Sequence, residues 1–246
     1  DQRLSERDYR GIAMSVPGAV NQETGMIEGI SAIPYIHGFS WYEVLAHHQL
    51  PIHLENDANC VGLSELLAHP EIENAACVVI GTGIGGAMII NGKLHRGRHG
   101  LGGEFGYMTT IEPAEKLNNW SLLASTGNMV RYVIEKSGRS DWDGRKVYQE
   151  AAAGNALCQE AIERMNRNLA QGLLNIQYLI DPDVISLGGS ISQNPDFIKG
   201  VQKAVDTFVE KYEEYTIAPV IQACTYHADA NLYGALVNWL QEENQW

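Results

Sequence analysis

Apolar residues recur along this chain in two rhythms that alternate. Short runs at residues 12–16, 75–80, 87–90, 182–187 and 218–223, with a sparser one at 51–55, are bounded mostly by Gly, Pro or Asn. Runs of that length and Ile/Val content predict strands. Between them lie longer stretches at 58–69, 118–138, 143–150, 155–179, 195–212 and 229–241 that predict helices. In the longest, Ala161, Met165, Leu169, Leu173 and Ile176 fall near helical spacing on one face. A short helix is expected at 40–46, where Ser40 and Glu43 have the spacing of a capping box. Pro17-Gly18, residues 21–25 and above all Asn91-Gly92 read as turns. The first ten residues are polar and read as the last turns of a surface helix. Strands alternating with helices make the class α/β. The adjacent hairpins make its sheet mixed rather than purely parallel.

Composition narrows this picture. The 246 residues suffice for one large domain or two small ones with their own cores. With 45% apolar and 19% charged residues, the chain is an ordinary folded one. The net charge of −13 argues against a general nucleic-acid binder, which needs clustered Lys and Arg. Cys60, Cys77, Cys158 and Cys224 are far apart and form no CxxC pair, so they read as buried reduced thiols. Reduced thiols fit a cytoplasmic location. No apolar run reaches membrane-span length, so no membrane partner is expected.

The candidate chemistry gathers at strand ends. Gly81, Gly83 and Gly86 formally match GxGxxG, but the dinucleotide version needs a helix after the loop. Here Ala87-Met88-Ile89-Ile90 follows, which is strand. What remains is a glycine turn between two strands, residues 81–86, with Thr82 at its tip. Glycines let backbone N–H groups approach an anion closely, so the turn reads as a phosphate site; a plain tight hairpin is the alternative. Glu55-Asn56-Asp57 ends a strand before a helix. Asp57 there could take a proton from a hydroxyl substrate that Asn56 positions, or could simply cap the helix. Glu104 sits in the glycine-rich loop 96–106 and could hold sugar hydroxyls or only face solvent. Gly188-Gly189 stands at a strand's carboxyl end, where α/β sheets bind ligands, although a plain strand-to-helix turn looks the same.

Taken together, these pieces form a recognisable set. Ser15-Val16-Pro17-Gly18, Leu54-Glu55-Asn56-Asp57-Ala58-Asn59, Val79-Ile80-Gly81-Thr82-Gly83-Ile84-Gly85-Gly86 and Ile185-Ser186-Leu187-Gly188-Gly189 occur in that order. Gly102-Gly103-Glu104-Phe105-Gly106 lies between the third and fourth. The set resembles the ROK family (repressors, open reading frames and sugar kinases) over nearly the whole chain. The resemblance implies an actin-like, ribonuclease-H-like fold of two lobes with sugar and ATP between them. Residues 1–68 would belong to the N-terminal lobe, with the last helix, 229–246, packing back on it; residues 69–228 would form the C-terminal lobe. It also implies ATP-dependent phosphorylation of a hexose or hexose derivative at the 6-hydroxyl, with magnesium accompanying the nucleotide. Asp57 would be the general base, Asn56 and Glu104 sugar ligands. Gly81, Thr82 and Gly83 would contact the ATP phosphates, and Gly188 and Gly189 would form the nucleotide-side turn. A homodimer is the family habit.

Three departures from the family pattern carry further expectations. The family opens on an Asp-x-Gly-Gly-Thr phosphate loop that this sequence does not contain. The chain is therefore expected to begin within the first long helix, without the first strands of the N-terminal lobe. Such a form should have weak or no kinase activity, and one carrying that loop should be active. Tyr107 stands where many members place a zinc-binding His, and no Cys lies between Cys77 and Cys158, so no zinc is expected. This form resembles the subgroup with β-glucoside kinases. Finally, Ser121 stands where the family often places a sugar-contacting Glu before Ala124-Ser125. Two other classes fit the same resemblance: a sugar-responsive transcriptional regulator and a sugar-binding module without catalysis.

Overall fold

A computed structural model describes residues 9–29, 33–110 and 118–246. The expected N-terminal surface helix lies almost wholly outside the described residues. The first strand, β1 (Ile12–Val16), is followed by a small hairpin of β2 (Ala19–Asn21) and β3 (Met26–Glu28). Helix α1 (Trp41–Leu45) begins as the capping pattern requires, with Ser40 Oγ accepting the Glu43 N–H. Strand β4 (Ile52–Asn56) then pairs in parallel with β1, from Ile12 opposite Ile52 to Val16 opposite Asn56. Asn56 ends that strand and caps α2 (Asp57–Ala68).

The larger sheet is built on β5 (Ala75–Ile80), which turns into β6 (Ile84–Ile90) and then β7 (Lys93–Leu94). Asn91 and Gly92 both adopt positive φ, 52° and 68°, the turn that matches strand twist. A minor ladder joins β8 (Thr109–Thr110) to β9 (Asn118–Asn119). Helices α3 (Trp120–Ala124), α4 (Thr126–Ser137), α5 (Gly144–Ala152) and α6 (Ala156–Ile180) follow. Strand β10 (Val184–Gly188), α7 (Pro195–Lys211), β11 (Ile221–Ala223) and α8 (Ala230–Glu242) complete the chain. The sheet order is β11-β10-β5-β6-β7, parallel among the first three and antiparallel from β5 to β7. This is the mixed sheet that the hairpin signals predicted.

Alternation along β5 decides which layer covers which face. Ala76, Val78 and Ile80 join Leu169, Leu173 and Ile176 of α6 in the main core. Ala75, with Ile89 and Val184, meets Leu63 and Leu66 of α2 and Val237 of α8. Helix α2 is buried at every position from Ala58 to Leu66 because it lies between this sheet and α8. It therefore needs no polar face. A Cβ on Gly234 of α8 would collide with the Cys60 carbonyl oxygen, so that glycine permits the close α2–α8 approach. Helix α8 also lies against β1 and β4.

Several boundaries differ from expectation for physical reasons. The glycine turn is only three residues long, Gly81 to Gly83; Gly85 and Gly86 lie inside β6. Their missing side chains let Phe105 and the Gly103 carbonyl pack directly on the strand at Gly86. The helix expected across 118–138 breaks at Ser125, which is extended and whose Oγ accepts the Asn128 N–H. Local side-chain bonding of this kind competes with helix continuation. The last strand is shorter than the apolar run that announced it.

Candidate active site

The β4–α2 junction sets the first two functional side chains. Asn56 Oδ1 accepts the Asn59 N–H at 3.0 Å, and its Nδ2 donates to the Gly18 carbonyl at 3.1 Å. The amide is thereby fixed by α2 and by the turn after β1. Asp57 is the first residue of α2, and its Oδ1 accepts the Ala58 N–H at 2.9 Å. Burial raises the Asp57 carboxyl above the ordinary aspartate value, and the backbone and Asn56 hydrogen bonds partly oppose that shift. Glu104 is raised as well, first by burial and then by the negative charge of Asp57. The two carboxylates therefore share one electrostatic space.

That space is a cleft of about 360 Å³ lined by Asp57, Glu104, Tyr107, Ser121 and Asn231, with Gly81 and Gly83 at one side. Tyr107 is 67% exposed at the cleft. Ser121 is committed to the backbone: its Oγ accepts the Ile84 N–H at 2.8 Å and donates to the Ile84 carbonyl at 3.2 Å.

The three-residue turn Gly81-Thr82-Gly83 is exposed. Gly81 N–H donates to Gly83 O at 2.9 Å, and Gly127 N–H in the first turn of α4 donates to Gly81 O at 3.1 Å. The start of α4 is thus held directly beneath the turn. Beside it lies a second cavity of about 740 Å³, lined by Thr126, Arg145, Tyr148, Ser190 and Asn194 among others. Thr126 Oγ1 and Tyr148 Oη are buried there with no hydrogen-bond partner. Gly188 pairs with Val79, so β10 and β5 end side by side. Gly189, at φ 89°, packs on the Ile80 carbonyl so closely that a Cβ would collide with it. The two glycine turns therefore meet at the carboxyl edge of the sheet.

The fold brings every residue singled out from the sequence to one edge, in two groups. Asp57, Glu104, Gly81 and Gly83 line the smaller cleft, with Asn56 next to Asp57 but outside that lining; Thr82 stands over Gly127, and Gly188 and Gly189 lie beside the start of the turn, where Gly188 pairs with Val79 and Gly189 packs on Ile80. Sequence reasoning missed Thr126, Tyr148 and Asn231. It also missed the tie between Glu55 and Arg96, which meet at 2.6 Å. A carboxylate at the end of a buried strand was the available signal for Glu55. All four cysteines are free and buried. Among the described residues, no cluster of three or more His, Cys, Asp or Glu could hold a metal, and no helix is long and apolar enough to cross a membrane.

Comparison with known proteins places this geometry. The model of the ROK family matches residues 2–242. A β-glucoside kinase of Listeria monocytogenes is 35% identical over 97% of this chain and 82% of that protein. An N-acetyl-D-glucosamine kinase of Mannheimia succiniciproducens is 30% identical over 93% of this chain and 80% of that protein. Among solved structures, a ROK family protein of Streptococcus pneumoniae TIGR4 in complex with sucrose is 88% identical. It superposes with a TM-score of 0.96 over 100% of this chain and 85% of that one.

Proposed function

The chain belongs to the ROK family, and from that premise we propose that it transfers the γ-phosphoryl group of ATP to the 6-hydroxyl of a hexose or hexose derivative, with Asp57 as general base. It is an ATP-dependent sugar kinase with the actin-like fold. The observation that carries the mechanistic reading is the meeting of Asp57 and Glu104 in one cleft whose wall is the glycine turn.

Each residue has a role that its geometry supports. Asp57 is held rigidly at a helix start, and its raised pKa brings it nearer working pH, where a base is most effective. Asn56 and Glu104 hold the sugar so that its acceptor hydroxyl faces Asp57. Backbone N–H groups of Thr82 and Gly83, with the first turn of α4 beneath them, favour phosphate oxygens. The larger cavity takes the rest of the nucleotide, and the unpartnered hydroxyls of Thr126 and Tyr148 suit a polar base or ribose. Magnesium bound with ATP would supply neutralisation of the phosphate charge.

The β-glucoside kinase relative and the sucrose complex of the Streptococcus protein support a glucoside as the sugar. A glucoside keeps its 6-hydroxyl free while carrying a second group at C1. The short Ser121 and the exposed ring of Tyr107 leave the cleft room for that group. We further place the protein in the cytoplasm, with its free buried thiols, as a homodimer.

A coupled ADP-release screen over hexoses, aminosugars and β-glucosides tests the substrate class. In the complete protein, Asp57→Ala should lower kcat by about 10²–10⁴-fold with the fold intact by circular dichroism. Turnover at the wild-type rate in that variant would sink the assignment.

A further inference from the structure

We propose that Arg96, acting through Glu55, is the strut that fixes Asp57 relative to Glu104, making both positioning residues for phosphoryl transfer. Neither lines the cleft. The proposal rests on the reading of Asp57 as base and Glu104 as sugar ligand.

Glu55 is 1% exposed, and its two oxygens do different things. Oε1 accepts the Asn56 backbone N–H at 2.8 Å and the Asn59 Nδ2 at 2.9 Å. Those two residues flank Asp57, so this oxygen clamps the turn that presents the base. Oε2 accepts from Arg96 Nε at 2.6 Å. Arg96 in turn begins the glycine-rich loop, and its carbonyl accepts the Gly102 N–H at 2.9 Å. That bond closes the loop that delivers Glu104 two residues later. One arginine thus holds the base through its side chain and the sugar-binding loop through its backbone. Its Nη2 also donates to Asn238 Oδ1 at 2.8 Å and Glu242 Oε1 at 3.3 Å, which adds α8 to the same joint.

Stability alone does not account for this cluster. Asn59 Oδ1 and Asn238 Nδ2 are buried in it without partners. A buried ion pair beside unsatisfied amides is commonly no more stable than apolar packing of the same volume. What the cluster supplies is direction: a guanidinium fork and a divided carboxylate fix three segments that lie far apart in sequence.

Arg96→Met alone leaves Glu55 buried and unpaired, which can unfold the chain. The deciding protein is therefore the double variant Glu55→Gln, Arg96→Met, in which no buried charge is left unpaired; Glu242, which also loses Arg96, is exposed. Its melting temperature should stay near that of the parent while kcat falls about 10²-fold, the effect of a reacting group displaced by about 1 Å. The KM for ATP should stay unchanged while that for sugar rises. Arg96→Lys keeps the charge but not the fork and should fall between. A folded double variant with parental kcat and sugar KM overturns the proposal. So does a kcat loss that disappears on cooling below the unfolding transition, which marks a purely structural pair. If the double variant fails to fold, Arg96→Lys decides by the same readouts. Asp57→Ala measured alongside separates the two readings: turnover there at the parental rate removes the base, whereas a strongly impaired Asp57→Ala with a fully active double variant removes only the strut.

Discussion

Asp57 sits where burial and hydrogen bonding pull its carboxyl in opposite directions, and burial wins. The acid limb of kcat/KM should accordingly lie above the ordinary aspartate range. Glu104 carries the same upward shift, with Asp57 as its second cause. A carboxyl whose pKa is higher folded than unfolded binds protons more tightly in the folded state. Its contribution to stability is full below the unfolded value and is lost as pH rises through the folded one. Glu104→Gln should therefore raise the melting temperature at neutral pH, and the gain should vanish in acid, below both values. A melting temperature unchanged or lowered at neutral pH would contradict the strained-carboxylate reading. Asp57, Asn56 and Glu104 were legible as candidates because each sits at a strand end or in a glycine-rich loop. What was not legible was their company. Nothing in the sequence spacing connects Arg96 with Glu55, Asn238 and Glu242, since those contacts span 41 to 146 positions.

Among the elements, the glycine turns carry the sharpest test. Gly189 holds φ 89° and presses on the Ile80 carbonyl, so an added methyl group meets both backbone strain and a collision. Gly189→Ala should destabilise the fold by about 2 kcal/mol or more in chemical denaturation, and should weaken nucleotide binding with it. Equal stability of variant and parent would show that the two turns are less tightly joined than described. Helix and strand identities followed from periodicity, and the Ser40 cap could be read directly. The break at Ser125 and the shortening of the glycine turn to three residues could not be read that way. In both places a local bond or a close packing partner, not the apolar period, sets where the element ends.

At the scale of the molecule, two cavities lie near the ends of β5 and β10, one of about 360 Å³ reaching Val79 and Gly81 and one of about 740 Å³ reaching Ser190 and Ile191. A ligand that binds only the folded state raises its stability by about 2.7 kcal/mol at a hundredfold excess over Kd. A glucoside and a nonhydrolysable ATP analogue should each raise the melting temperature, and together should raise it further, because the two cavities share no lining residue. Mutual exclusion of the two ligands would contradict that arrangement.

By itself the sequence determined the α/β class, the mixed sheet, the family and the residues at the sheet's edge. Apolar period, turn chemistry and ordered glycine motifs are local, and local patterns survive in one dimension. The tertiary structure alone decided that α2 is buried from Ala58 to Leu66, that Ser121 bonds the Ile84 backbone, and that Arg96 joins Glu55, next to Asp57, to the loop that carries Glu104. Those outcomes depend on which segments pack together, and packing partners remote in the chain leave no spacing for the sequence to record.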